Sequence, residues 1–171
     1  EFAVSLCLVD PVNGKRYLFE ATPDFREQLE MADKVSNASN YPYDGIFLTH
    51  AHIGHYTGLL HMSFEAMSSK NTSVYAMPRM QKYLRNNGPW SQLVTYGNIN
   101  LRDLHQGSPV DLAGIKVTPI LVPHRDEFSE TVGYKIASDG KVALFIPDVD
   151  KWSKLDTNIA DMVAEVDYAL L

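Results

Sequence analysis

The segment Thr49-His50-Ala51-His52-Ile53-Gly54-His55 places three of the chain's six histidines within six residues. Imidazole is the commonest side-chain ligand for zinc and suits other borderline transition metals, and a short turn can aim several rings at one point without burying charge. The plain alternative is a polar loop that happens to be rich in histidine. A divalent ion with an open coordination position brings the pKa of bound water from 15.7 to about 7 and polarises a carbonyl or phosphoryl oxygen. Metal-assisted hydrolysis is therefore the chemistry these residues point to.

The elements around the cluster must hold it in place. Gly45 to Leu48 is a short apolar strand that runs into the histidines, and Tyr56 to Met67 carries apolar residues at helical spacing, so the cluster occupies a strand-to-helix turn. Upstream, Phe2 to Val9 and Lys15 to Glu20 read as the strands of a hairpin around Asp10-Pro11-Val12-Asn13-Gly14. Thr22-Pro23-Asp24 predicts a capped helix with Phe25, Leu29 and Ala32 as its apolar stripe, followed by a polar loop from Ser36 to Asp44. Ser73 to Ala76 is another strand. Pro78 opens a helix that Asn87-Gly88-Pro89 stops. Residues 90 to 113 carry no legible pattern. Ile115 to Val122 alternates and breaks at Pro123-His124, and Thr131 to Ala137 with Lys141 to Ile146 form a hairpin around Asp139-Gly140, ending in Pro147-Asp148. Thr157 to Glu165 is expected to be helical and Val166 to Leu171 to be an apolar strand, cut off as if the domain continued beyond it.

Strand pairs interleaved with helices, without an internal repeat, predict a layered α/β architecture and one domain over residues 1–171. His50, His124 and Asp148 each follow the end of an expected strand, the edge at which α/β sheets gather residues distant in sequence. The bland roles for these positions are a satisfied surface histidine at His124 and a turn or cap residue at Asp148. His61 lies on a different helical face from His55 and is expected not to be a ligand, while His105 sits in the unpatterned region. Tyr56 could bond a substrate oxygen but more often packs its ring, and Trp90, Trp152 and the methionines 62, 67, 77 and 80 read as packing.

Composition narrows the class. At 45% apolar residues the chain can bury a substantial core, and no apolar run approaches the roughly 18 residues of a membrane span, so a soluble protein without membrane contact is expected. Its net charge of −6 and lack of a basic block argue against nucleic acid as a partner. A small-molecule substrate is expected instead, a phosphate included, with the oligomeric state left open to a homodimer. The start Glu1 to Ser5 has no basic n-region, which favours the cytoplasm and leaves a removed leader open. Cys7 alone forms no internal disulfide and reads as a buried small hydrophobe, and the tripeptides at Asn37 and Asn71 read as chance matches to the glycosylation pattern.

Thr49-His50-Ala51-His52-Ile53-Gly54-His55-Tyr56-Thr57-Gly58 resembles the signature loop T-H-x-H-x-D-H-x-x-G of the metallo-β-lactamase superfamily. Val122-Pro123-His124 and Phe145-Ile146-Pro147-Asp148 resemble the later strand ends that carry that family's third histidine and bridging aspartate. Tyr17 to Arg26 and Thr131-Val132-Gly133-Tyr134 are similar to the branch containing the pyrroloquinoline-quinone (PQQ) biosynthesis protein B. The resemblance implies a four-layer αββα sandwich whose C-terminal part lies beyond Leu171. It also implies that His50, His52 and His124 hold a first metal, and that Asp148 bridges to a second held in part by His55. Asp148 and His55 would then take part in catalysis, with Asp148 orienting the nucleophile.

Gly54 departs from the pattern, because it stands where the family carries a ligand aspartate. One well-occupied site and a weak or absent second site are therefore expected, with zinc favoured and iron or manganese as other occupants. Asp126, Glu127 and Glu130 are candidate substitutes for the missing carboxylate. The leading expectation is a metal-dependent hydrolase acting through a metal-bound hydroxide on an ester, lactone or phosphodiester. Two others differ in class: an iron-dependent oxidative accessory enzyme of PQQ biosynthesis, and a degenerate metal-binding module without turnover.

Overall fold

A computed structural model of the chain describes residues 2–36 and 39–171. Strands β1 (Leu6–Asp10), β2 (Lys15–Phe19), β3 (Gly45–Phe47), β4 (Thr72–Ala76) and β5 (Ile99–Asp103) lie in that order in one sheet; β1 and β2 form an antiparallel hairpin and the other neighbours are parallel. The second sheet holds β6 (Val110–Leu112), β7 (Ile115–Leu121), β8 (Val132–Ser138), β9 (Lys141–Phe145) and β10 (Tyr168–Leu170), antiparallel except where β10 joins β9. Helices α1 (Phe25–Asp33), α2 (Ile53–Tyr56), α3 (Pro78–Asn86), α4 (Trp90–Thr95) and α5 (Ile159–Ala164) complete the order. Among the described residues no helix is long and apolar enough to cross a membrane.

Alternation along the strands builds the layers, because successive side chains of a strand point to opposite faces. In the first sheet Leu18, Ile46, Val74 and Leu101 face a core shared with Phe25 and Leu29 of α1, Leu84 of α3 and Leu93 of α4. Their strand neighbours Tyr17, Phe19, Phe47 and Tyr75 face the other way and meet Val117, Val132, Tyr134 and Phe145 of the second sheet. On that sheet's far side, Leu144 and Ile146 pack with Ile159, Met162 and Val163 of α5. Helix, sheet, sheet, helix is the resulting order.

The inter-sheet layer ends in an aromatic floor. Phe47 stacks on Tyr75 at 4.3 Å and on Phe19 at 4.9 Å, with Tyr134 edge-on to both Phe19 and Phe47. Rings packed this way bury large apolar areas in fixed geometry, so the loops above them start from a rigid base. Gly133 belongs to this floor, since a Cβ there would come within 2.6 Å of Ile146 Cγ1 and 2.9 Å of the Phe145 carbonyl.

Several expected boundaries shift. The first helix starts at Phe25 rather than directly after Thr22, whose Oγ1 instead accepts from Asp24 N at 3.1 Å. The helix expected over 56–67 is a single turn, α2, tightened into a 3-10 stretch from Thr57 to Met62. The cause is Gly58, which donates to the Ala21 carbonyl at 2.8 Å and sits where a Cβ would lie 2.2 Å from the Thr22 carbonyl oxygen, so this segment is pinned against the chain leaving β2. Cys7 is half-buried rather than buried. The tripeptide at Asn37 falls outside the described residues, and the middle residue of the one at Asn71, Thr72, is buried in β4.

Candidate metal centre

Three strands deliver the centre, each with the same offset. β3 ends at Phe47, β7 at Leu121 and β9 at Phe145, and His50, His124 and Asp148 each lie three residues farther on. The loop after β3 is tied to the second sheet: Thr49 O accepts from Val132 N at 3.2 Å, Leu48 O from the Tyr134 hydroxyl at 2.5 Å, and Ala51 N donates to Ser129 Oγ at 2.9 Å. His52 then caps α2, whose first turn turns His55 back over His50, their rings 4.2 Å apart.

His50, His52, His124 and Asp148 each offer one ligand atom, all within 4.8 Å of one another. His50 Nε2 lies 2.8 Å from His52 Nδ1, His124 Nε2 lies 3.2 Å from His52 Nδ1, and Asp148 Oδ2 lies 3.4 Å from His50 Nε2 and 3.8 Å from His124 Nε2. Ligands on a tetrahedral zinc with arms of 2.0–2.1 Å are separated by about 3.4 Å, so the cluster has the size of one such shell.

The hydrogen bonds behind these rings decide which nitrogens face inward. Thr49 spends its only hydroxyl proton on Glu20 Oε2 at 2.8 Å, so it accepts from His50 Nδ1–H at 2.8 Å, and His50 Nε2 is left as a lone pair. His52 Nε2 faces Glu127 Oε2 at 2.9 Å and donates to it, which leaves His52 Nδ1 as a lone pair too. Two bare nitrogens 2.8 Å apart, beside a carboxylate oxygen, repel one another unless a cation or proton lies between them. The donor set therefore fits a divalent metal, with the second nitrogens of His50 and His52 held from behind. Burial, and then the neighbouring imidazoles, drive the pKa of His50 down to about 2, so its ring is neutral and ligand-ready at ordinary pH.

Glu20 is the residue that sequence reasoning missed. It directly follows β2, is fully buried, and adopts φ 76, a left-handed conformation unusual outside glycine. That turn points its carboxylate at the histidine loop, where it accepts from Thr49 N at 2.9 Å and Thr49 Oγ1 and pairs with His55 Nδ1. Burial raises the Glu20 pKa against the pull of His55 and Thr49. Burial alone would lower His55, but Glu20 and Asp148 carry it upward, so a proton is retained between the Glu20 and His55 side chains. The available signal was the rule already used for His50, a polar residue at a strand's C-terminal end; assigning Glu20 to the strand itself concealed it.

His55 Nε2 lies 2.9 Å from Asp148 Oδ2. Glu20, His50 and His55 also offer ligand atoms within 4.8 Å of one another, but the Glu20 carboxylate is already engaged by Thr49 and His55. Nothing among the described residues lies within 4 Å of where a Gly54 side chain would begin. Of the candidate substitutes, Asp126 accepts from Thr131 Oγ1, Glu130 accepts from Arg79 N, and only Glu127 reaches the cluster, as the partner of His52. That bond holds the Glu127 carboxyl below its usual range. His124 Nδ1 faces Asp150 Oδ1 at 3.2 Å but outside hydrogen-bonding geometry, leaving that buried nitrogen unpaired. His61 stacks on Phe25 at 5.8 Å, and His105 is exposed in a turn. Tyr56 bonds the Tyr83 hydroxyl at 2.9 Å and packs on Trp90.

The fold has counterparts among solved structures. Residues 15–171 match the model of the β-lactamase superfamily domain. No curated protein matches the chain by sequence. Zinc-bound PqqB from Methylobacterium extorquens superposes with a TM-score of 0.77 at 20% identity, covering 96% of this chain and 58% of that one. A diphosphatase of the PhnP family superposes at 0.63 with 22% identity over 99% of this chain and 59% of its own. The short form of human tRNase Z gives 0.63 with 15% identity over 98% of this chain and 70% of its own. At 58% and 59%, the chain spans less than two thirds of the length of the first two. With the family model covering all but the first strand, the chain belongs to the β-lactamase superfamily.

Proposed function

We propose that the chain is the metal-binding part of a hydrolase that cleaves an ester, lactone or phosphodiester bond in a small molecule. The observation that carries this is the pair of bare nitrogens, His50 Nε2 and His52 Nδ1, 2.8 Å apart beside His124 and Asp148. A divalent ion, when bound, supplies Lewis acidity that brings water toward a pKa of about 7. Zinc is the favoured ion, supported by the imidazole-rich donor set and by the zinc in the PqqB neighbour. The protein's own groups do the rest. Asp148, 37% exposed and reaching His50, His55 and His124 through one oxygen, is placed to orient a nucleophilic water and accept its proton. His55, held by Glu20, fixes the carboxylate from the other side and is placed to return a proton to a leaving group.

The test is a panel of activated esters, lactones and phosphodiesters assayed with the protein as purified, after chelation, and after adding back zinc, manganese or iron. Chelator-sensitive turnover restored by zinc is the expected result. Turnover that needs iron and consumes oxygen would replace hydrolysis with an oxidative role in quinone-cofactor biosynthesis. No metal-dependent turnover on any substrate would make the domain a binding module.

A further inference from the structure

Beside the metal cluster, and outside everything assigned above, lies a cleft of about 290 Å³ between α3 and the loop that follows β7. It is lined by Arg79, Lys82, Tyr83, Asn86, Asn87 and Phe128. Helix α3 carries Arg79, Lys82 and Arg85 and no acidic residue, in a chain whose net charge is −6. The cleft is thus a local island of positive charge on an acidic protein, the pattern that draws an anion to one place.

The second wall gives the cleft its selectivity. Phe128 is 57% exposed and its ring lies 5.5 Å from that of Tyr83, tilted by 42°, so the ring is supported by Tyr83 while more than half of its surface stays open. Arg79 is fixed there by a 2.7 Å bond from Nη2 to the Asp126 carbonyl. The nearby acids keep their charge but turn to other partners and do not line the cleft: Glu130 accepts from Arg79 N, Asp126 from Thr131, and Glu127 from His52. Asn86 adds an amide group at the rim, and so does Asn87, one of whose amide protons already goes to the Tyr83 carbonyl at 2.9 Å. Cations with amide donors suit phosphate oxygens, and an open aromatic face suits a planar ring. Both walls lead to the centre, because Phe128 follows the residue that bonds His52, and Tyr83 bonds Tyr56, which follows His55.

We propose that this cleft is a substrate subsite that holds a phosphate group carrying a planar ring, an aryl or heteroaryl phosphate that anchors the substrate beside the bond hydrolysed at the metal centre. The proposal rests on the hydrolytic reading for its link to turnover, but the binding it asserts stands apart from turnover.

The experiment follows phenyl phosphate binding to the full chain as purified, and again after chelation, by amide and side-chain resonances. Saturable shifts at the Asn86 and Asn87 side-chain amides are expected in both states. Lys82→Glu should weaken binding about tenfold, Phe128→Ala should abolish the preference for phenyl over methyl phosphate, and the distant Lys34→Glu should bind as the parent does. Shifts confined to the histidines, or unchanged affinity in Lys82→Glu, would overturn the subsite. Phenyl phosphate seated in the cleft of a protein that shows no metal-dependent turnover of any ester, lactone or phosphodiester would sustain the subsite and overturn the hydrolytic reading instead.

Discussion

The two sheets contribute to the centre in different ways. The first supplies His50, His52 and His55 from one continuous loop; His50 is 1% exposed, and both His50 and His55 trace back to the buried Glu20. The second supplies His124 and Asp148 from separate loops, and they have fewer anchors of their own: Asp148 is held by the His55 ring of the first sheet's loop, 2.9 Å away. Among the described residues His124 Nδ1 has no hydrogen-bond partner, and the Asp148 side chain is 37% exposed. One half of the site is anchored in the buried Glu20 network; the other rests on fewer and more exposed contacts. An ion would dock on the preformed imidazole pair and draw His124 and Asp148 closed around it, so losses on the first side should cost more than losses on the second.

The largest effect is expected at His52, which provides one of the two converging nitrogens. His52→Ala should abolish metal retention, read as metal per chain after gel filtration, because the remaining ligands leave an incomplete shell. Unchanged stoichiometry would break the assignment of this loop. Next comes Glu20→Ala, which strands Thr49 N–H, the Thr49 hydroxyl and the His55 Nδ1 proton in a buried place. Removing one partner of a buried charged pair costs about 3–5 kcal/mol, and the urea midpoint of the metal-free protein should fall accordingly. Asp150→Asn is the matched change on the second sheet. It should leave that midpoint in place and weaken metal binding by no more than about tenfold. Equal losses from the two substitutions would dissolve the contrast between the halves.

A pH titration sharpens the same contrast at lower magnitude. Native His50 has a pKa of about 2, whereas an unfolded histidine titrates near 6.5. The unfolded chain therefore binds the extra proton between those values. The contribution of His50 to stability is complete above about pH 6.5 and drains away as pH falls toward 2, by up to about 1.4 kcal/mol per pH unit. Urea midpoints of the metal-free protein at pH 7, 6 and 5 should fall in that order in the parent, and the decline should be shallower in His50→Asn. A parent midpoint that holds steady across this range would mean that His50 is not kept neutral by burial.

How much of this could be read beforehand depends on where the information resides. Local chemistry marked α3 to the residue, with Pro78 opening it and Asn86 its last residue, and it marked the β8–β9 hairpin, where Asp139 and Gly140 adopt the positive φ that their turn requires. It also marked the three strand ends that carry His50, His124 and Asp148. The stretch 90–113 stayed illegible because its elements depend on their neighbours: α4 buries only Leu93, and β6 is three residues long and exists by pairing with β7. The tightening after His55 was hidden for a related reason, since it follows from the close approach of Gly58 to the chain leaving β2. Glu20 required the least local knowledge of all, a backbone turn at positive φ that carries a carboxylate from one strand end to the loop after another.

Gly54 offers the finest test, because it lies on the rigid half yet leaves that half one ligand short of the superfamily's loop. Outside its own helix and chain neighbours, nothing among the described residues lies within 4 Å of its Cβ position, so the first atom of an added side chain has room. His55 Nε2 and Asp148 Oδ2, 2.9 Å apart, are the two groups nearest to a second site, and two protein ligands hold a metal poorly. Gly54→Asp supplies a third. Calorimetric titration with zinc should give one equivalent in the parent and a second, weaker one in the variant, with the first little changed. A variant that still takes up a single equivalent would show that the carboxylate absent at Gly54 is not what limits the second site.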